Sequence, residues 1–295
     1  MYKRQDTDKA VRAIKAGATD FIPKPWEKEK LLATLSSGMK LRRSRTEINL
    51  LKEQVEVLSN ATAGGSEEVI IGDSLVMQQV FSTVEKLRDT DANILILGEN
   101  GTGKDVIARL LYRNSPRYGK PFVTIDLGSI PEQLFESELF GYEKGAFTDA
   151  RKAKAGRMEV ATDGTLFLDE IGNLSLPMQA KLLTAIEKRC ISRLGSTQTV
   201  PIDVRLICAT NADIRQMVED GNFRQDLLYR INTIEIHIPP LRERGNDIIL
   251  LADHFLDRYT RKYKKEIHGL TREAKNKLLK YAWPGNVREL QHTIE

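Results

Sequence analysis

The chain has 295 residues, of which 41% are hydrophobic and 29% charged, enough for more than one domain and for a substantial buried core. No apolar run approaches the roughly 20 residues of a membrane span and the start shows no secretory pattern, so the cytoplasm is expected and a membrane is not. The net charge of +4 is unremarkable, and Cys190 and Cys208 are too few for a disulfide framework. With His237, His254, His268 and His292 scattered, they show no metal-ligand spacing either, and both cysteines read as core or surface bystanders.

In chain order, residues 6–36 contain a helix-like stretch, Ala10 to Ala16, then a Gly17–Pro25 segment, then a second helix beginning near Glu27; this region is too short to fold alone. From Leu41 to Leu58 the apolar residues Leu41, Ile48, Leu51, Val55 and Leu58 follow a 3.5-residue period, which reads as a short coiled-coil linker or as an amphipathic helix docked on a neighbour. Asn60 to Ser66 breaks the pattern as a hinge. From Glu67 to Pro239 strand and helix alternate, with strands near 94–97, 122–126, 165–169, 204–209 and 234–238, which predicts a parallel sheet covered by helices. Pro239-Pro240 stops the last strand, and only helical periodicity follows from Gly245, predicting a small helical lid. Within it, residues 257–280 hold nine Lys/Arg against three Asp/Glu, a solvated helix face first and a nucleic-acid or acidic-partner contact second.

The most informative stretch is Gly98-Glu99-Asn100-Gly101-Thr102-Gly103-Lys104-Asp105, which follows the strand Ile94–Leu97 and precedes a helix. Such a turn aims backbone N–H groups and the positive helix end at one spot, where a polyphosphate is held and Lys104 reaches its terminal phosphates. The bare pattern is weak, and a glycine turn that binds nothing is the alternative; the flanking strand and helix give it weight. Asp105 stands where a Ser or Thr normally offers a hydroxyl to magnesium, so either its carboxylate helps with the metal or another group takes over. The strand Thr165–Glu170 ends in two carboxylates. Asp169 suits Mg2+, and Glu170 suits the base that accepts a proton from the attacking water. The alternative is that the pair caps the following helix.

A generic phosphate-loop core has no need of the segment Glu138 to Ala150. Its Gly145, Ala146, Phe147, Thr148, Asp149 and Ala150 resemble the GAFTGA loop of the NtrC-like bacterial enhancer-binding proteins, AAA+ ATPases that activate sigma-54 RNA polymerase. The resemblance runs from Val69 to the end. Gly98–Asp105 resembles the family's GESGTGKE loop, in which an acid after the lysine is habitual. Leu166–Glu170 resembles its acidic motif, Thr210-Asn211 its polar sensor, Phe223–Arg230 its arginine-finger segment, and Trp283–Leu290 its lid motif with Arg288 as second sensor.

The resemblance implies an α/β fold, an AAA+ three-layer αβα sandwich (67–239, the sigma-54 interaction domain) followed by an all-α lid (240–295). It implies ATP and Mg2+ as ligands, with Ile71 joining the phosphate loop in holding nucleotide. It implies a hexameric or heptameric ring in which Arg224 and Arg230 serve a neighbouring subunit; surface or sheet-edge ion pairing is their plainer reading. Residues 145–150 would engage the sigma-54 holoenzyme, with Phe147 as an exposed tip, whereas a buried Phe147 would be core packing.

Two positions depart from the family: Asp149 replaces the second loop glycine, and Asp126 stands where an asparagine usually restrains the catalytic glutamate, so it is expected to repel Glu170 or raise its proton affinity. Residues 1–36 resemble the end of a response-regulator receiver domain, with Lys24 and Pro25 as its lysine-proline pair, and 37–66 the linker after it. The receiver's phospho-accepting aspartate and a helix-turn-helix are not in the sequence, which reads as a piece of a longer protein that meets a sensor histidine kinase and enhancer DNA elsewhere. Competing readings are an AAA+ remodeller of another client and a nucleotide-gated regulator that does not hydrolyse ATP. A GTPase is disfavoured because no Asn-Lys-x-Asp motif follows the acidic strand.

Overall fold

A strand that leads into a helix can rejoin its own sheet only by crossing over it, so alternating apolar runs and helices build parallel strands. The computed structural model describes residues 70–295 together with residues 30–32, 34 and 36, and the chain divides into two units, Met1–Leu58 and Ser59–Glu295. In the first unit the described residues are helical, within the second helix expected from near Glu27. The helix Ala10–Ala16, the Gly17–Pro25 segment, the heptad stretch 41–58 and the hinge 60–66 lie outside the described residues.

In the second unit, helix α1 (Leu75–Lys86) leads to β1 (Ile94–Leu97), α2 (Lys104–Arg113), β2 (Phe122–Asp126) and α3 (Glu132–Phe140). Next come two short strands, β3 (Gly141–Tyr142) and β4 (Lys154–Ala155), then α4 (Arg157–Val160), β5 (Thr165–Asp169), a 3-10 turn at Ile171–Asn173 and α5 (Leu176–Lys188). A hairpin of β6 (Cys190–Ser192) and β7 (Thr199–Pro201) precedes β8 (Arg205–Thr210), α6 (Ile214–Glu219), α7 (Gln225–Ile231) and β9 (Ile234–His237). The five long strands form one sheet in the order β2-β5-β8-β1-β9, all parallel. Central β5 and β8 are buried on both faces, as a covered parallel sheet requires. Alternate residues feed two cores: Ile94, Ile96, Phe167 and Ile207 pack with Val84, Ile107 and Leu111 of α1 and α2, while Leu95, Leu166, Leu168 and Cys208 pack with Leu182 of α5 and Leu227 of α7. Burial pushes the Cys208 thiol up to about 12, so it is an inert core residue.

The register sets the site. Asp126 pairs with Asp169 and Leu97 with Thr210, which lines up the carboxyl ends of four strands along one edge. The five expected strands are all present, with β8 beginning one residue later than read from the sequence. The small β3–β4 and β6–β7 pairs were not expected, because strands of two or three residues carry no detectable alternation. The lid consists of α8 (Asp247–Tyr263), α9 (Arg272–Lys280) and α10 (Asn286–Ile294) around Leu241, Ile248, Leu251, Phe255, Trp283 and Leu290. In the basic run, Arg261 pairs with Asp257, Lys262 with Glu295 and Lys275 with Asp253, and α9 buries none of its residues, as the solvated-face reading expects.

Gly156 is the tightest point at the base of the 145–150 loop: a Cβ there would lie 2.3 Å from the Phe140 carbonyl carbon and 2.4 Å from Gly141 N. Both are backbone atoms that cannot yield cheaply in a close-packed interior. Gly156→Ala is expected to cost more than about 2 kcal/mol in denaturant unfolding; a loss under about 0.5 kcal/mol would show that β4 can shift freely.

Candidate nucleotide site

The loop after β1 is shaped by two glycines in left-handed conformation, Gly101 at φ +75° and Gly103 at φ +96°, and Gly103 opens α2. Lys104, the first residue of α2, is buried; its ammonium donates to Gly98 O at 3.0 Å and Glu99 O at 3.4 Å, and lies 4.0 Å from Glu170 Oε1. The lysine thus sits between the phosphate loop and the end of β5. Asp105 is exposed in the first turn of α2.

Asp169 ends β5, and Glu170 follows in the left-handed region at φ 57°, its N–H donating to Asp169 Oδ1 at 3.0 Å. Glu170 makes no side-chain cap bond to the 3-10 turn that follows, so the capping alternative finds no support in the geometry. Asp169 is pushed up to about 6, chiefly by burial, with Lys104 opposing and the charges of Glu170 and Asp126 adding to the rise. The sequence leads one to expect Asp126 to act on Glu170; the influence found is on Asp169, its partner in the register. Asp126 Oδ1 accepts the Gly128 N–H at 2.9 Å. Thr210, the last residue of β8, is buried, and Asn211 just beyond it is exposed at the same edge of the sheet.

The lid grips this loop, in large part through Arg242, Asn286 and Arg244, to which the motif comparison gave no role. Arg242 pairs with both carboxylate oxygens of Glu99, at 2.6 and 2.9 Å, and holds that acid down at about 2. Asn286, fully buried, donates to Glu99 Oε2 and Asn100 O and accepts the Leu241 N–H. Arg244, buried and pushed down to about 10 by desolvation, donates to Thr102 O at 2.7 Å. The N–H groups of Val287 and Arg288 both meet Gly101 O, and a Cβ at Gly101 would lie 2.4 Å from Gly285 O. The Arg288 side chain is exposed. Between loop and lid lies a cavity of about 430 Å³ lined by Ile71, Gly103, Val106 and Ile107 on one side and by Leu251, Phe255 and Val287 on the other. Its size and mostly apolar lining suit a nucleoside.

The structure therefore gathers Ile71, Gly98, Glu99, Asn100, Gly101, Thr102, Gly103, Lys104, Asp169, Glu170 and Arg288 around one cleft. It places Arg224, Arg230 and residues 145–150 elsewhere. Arg224 is exposed at the head of α7 and paired with Asp226 at 2.6 Å. Arg230 lies at the other end of α7, where its carbonyl accepts from Asn93 at the amino end of β1. Phe147 is 43% exposed and edge-on to Tyr142, so it is a surface tip and not core.

Comparison with known proteins gives the family. Residues 70–237 match the Sigma-54 interaction domain and residues 242–295 the AAA+ ATPase lid domain. The chain belongs to the sigma-54 interaction domain family. It is 45% identical over its whole length to the transcriptional regulatory protein ZraR of Klebsiella oxytoca, covering 64% of that protein, and 41% identical to the regulatory protein AtoC of Escherichia coli K12, over 98% of this chain and 62% of the relative. The chain thus spans less than two thirds of the length of these relatives. Among solved structures it is similar to NtrX from Brucella abortus in complex with ATP, with a TM-score of 0.73, 30% identity, and coverage of 98% of this chain and 60% of the other. The fold is accordingly the AAA+ αβα sandwich with a helical lid. Among the described residues, no helix is long and apolar enough to cross a membrane.

The residues fit a magnesium-bound nucleotide. No group of three or more ligating side chains is gathered among the described residues, so a cation here would complete its shell with phosphate oxygens and water, the usual habit of Mg2+. The rise at Asp169 comes chiefly from burial, and the charges of Glu170 and Asp126 that add to it are the field such a cation would offset.

Two outcomes follow. With Asp169 at about 6 in the fold and near 3.8 when unfolded, folding favours its protonated form between those values. Its stabilising share is complete below about pH 4 and is lost as pH rises through 6. Asp169→Asn is expected to raise apo stability at pH 8 by on the order of 1–2 kcal/mol, with the gain shrinking toward pH 4, as read by denaturant midpoints; a gain independent of pH would refute the assignment. Asn286→Ala strands three polar partners and places alanine at φ 52°, and is expected to cost about 2–4 kcal/mol. A melting temperature unchanged from the parent would mean the lid does not depend on this residue.

Proposed function

We propose that the chain is the ATP-hydrolysing core of a sigma-54-dependent transcriptional activator of a two-component system, working in the cytoplasm as a hexameric or heptameric ring. The observation that carries the reading is the juxtaposition of a lid-held phosphate loop, a buried Lys104 and the Asp169–Glu170 pair at the end of one parallel strand. In this reading residues 1–36 are the end of a receiver domain, 37–66 a linker, 67–239 the ATPase core and 240–295 the lid. A sensor histidine kinase and enhancer DNA would be met through regions outside this chain.

The roles follow from placement. Backbone N–H groups of the Gly98–Gly103 loop, other than those of Gly98 and Thr102, bind the phosphates together with the Lys104 ammonium, and Ile71 with the lid face holds the base. Asp169, with Asp105 nearby in sequence to the loop, would hold Mg2+, which would spread charge on the phosphates. Glu170 accepts the proton of the attacking water, Asn211 orients that water, and Arg288 meets the phosphates from the lid. Arg224 and Arg230 are directed to a neighbouring subunit's site, which makes turnover depend on assembly. Gly145, Ala146, Phe147, Thr148, Asp149 and Ala150 contact sigma-54 holoenzyme; the solvent-facing ring of Phe147 supports that use. The similarity to the regulatory proteins ZraR and AtoC and to the ATP complex of NtrX supports this reading.

ATP turnover measured against protein concentration tests it. A steep rise with concentration is expected, lost by on the order of 10²-fold or more in Glu170→Gln and in Arg224→Ala. Phe147→Ala is expected to keep ATPase within about twofold and to abolish sigma-54 binding in the presence of a transition-state analogue. Tight ATP binding with flat, near-zero turnover would favour a nucleotide-gated regulator, and full turnover without sigma-54 binding would favour another client.

A further inference from the structure

Helix α5 carries a polar side chain with no exposure to solvent, Gln179. Its amide is spent on three backbone groups. Nε2 donates to Leu174 O at 2.8 Å and to Asn222 O at 3.1 Å, and Oε1 accepts the Arg224 N–H at 2.8 Å. The first partner belongs to the exit of the acidic strand: Asn173 N–H meets Glu170 O and Leu174 N–H meets Ile171 O, so one tight turn separates the Glu170 backbone from the residue that Gln179 grips. The other two partners flank Phe223, itself buried, immediately before α7.

The guanidinium of Arg224 has a different kind of restraint. It is exposed and pairs with Asp226, two residues on. A pair so local orients the side chain on its own helix but leaves the position of that helix on the fold undetermined. Burying an amide on a helix face that also buries Leu182 and Leu183 is unfavourable unless its bonds are made, and a leucine would fill the same volume without that demand. The placement of this residue is therefore explained by the three groups it joins. We propose that Gln179 is a positioning residue for Arg224: it fixes the finger segment and ties its position to the turn that leaves Glu170, so that the arginine one subunit offers its neighbour is set by that subunit's own acidic strand. This rests on the reading of Arg224 as a finger used by a neighbouring subunit.

Mixed rings of the full chain test it. Gln179→Leu is expected to lower turnover on the order of 10²-fold, the scale of an arginine misplaced by about 1 Å, while ATP-analogue affinity stays within about twofold. Such a subunit keeps an intact nucleotide site and lacks a well-placed finger; Glu170→Gln is the reverse. Mixed in equal amounts, the two are expected to regain turnover at least about 10-fold above either alone, as Arg224→Ala mixed with Glu170→Gln also should. Gln179→Asn, which withdraws the amide by one methylene, is expected to be rescued likewise and covers the case in which the leucine variant does not fold. Parental turnover in both Gln179 variants would overturn the inference. So would a loss that mixing fails to restore while Arg224→Ala is restored. If Arg224→Ala itself is not restored, the neighbour-supplied finger fails, and the inference with it.

Discussion

A loop that offers N–H groups to phosphate can spend few of them on its own shape, here Gly98 N–H on Thr210 O and Thr102 N–H on Glu99 O, so that shape is fixed largely through its carbonyls. Every carbonyl from Gly98 to Thr102 is engaged. Those of Gly98 and Glu99 accept from Lys104, and Glu99 also accepts from the Thr102 hydroxyl. Asn100 O is taken by Asn286, Gly101 O by the N–H groups of Val287 and Arg288, and Thr102 O by Arg244. The last three come from the lid or from the segment leading into it. The lid is therefore part of the phosphate site's frame, and whatever displaces the loop must displace α10 with it.

The same frame settles where the charges go. An acid in a phosphate loop opposes the ligand, but Glu99 is turned onto the Arg242 fork and the Asn286 amide, which neutralise it on the far side of the loop. Lys104 is left as the buried cation beside the acidic pair, drawn toward the carbonyls of its own loop and toward Glu170. Facing it, Asp169 carries the cost of burial together with two neighbouring acids, Glu170 and Asp126. Asp126 contributes to this because parallel pairing sets it beside Asp169; it is the register of β2 on β5, and not closeness in sequence, that makes this departure matter.

The features legible in the sequence were those with a local signature. Five apolar runs punctuated by glycine and proline read as the five strands, and the phosphate loop and acidic pair read as neighbours because each ends a strand of one parallel sheet. Asn286 and Gln179 were not legible as anchors. Gln179 lies in a segment whose pattern fits an ordinary amphipathic helix, Asn286 lies in the lid motif with no contact of its own marked there, and each makes bonds to residues far along the chain, Asn286 to Leu241 and Gln179 to Asn222 and Arg224. The β6–β7 hairpin escaped notice because strands this short have no period to detect. A weak trace of the lid clasp did exist: three charged residues, Arg242, Glu243 and Arg244, one residue beyond a proline pair, at a point where the chain must cross from sheet to lid.

The helix α7 bears on how the arginines can work. Arg224 stands at its head and Arg230 near its end, where the Arg230 carbonyl is bonded to Asn93, the residue just before β1. The phosphate loop leaves β1 at its other end. Four strand residues at roughly 3.3 Å each put about 13 Å of sheet between Asn93 and that loop, beyond the reach of an arginine side chain. Arg230 therefore cannot serve the nucleotide site of its own subunit from this position. Two arginines held at opposite ends of one short, well-anchored helix are suited to facing another surface, and the anchoring of that helix to β8, α5 and the exit of the acidic strand makes their position a property of the whole core.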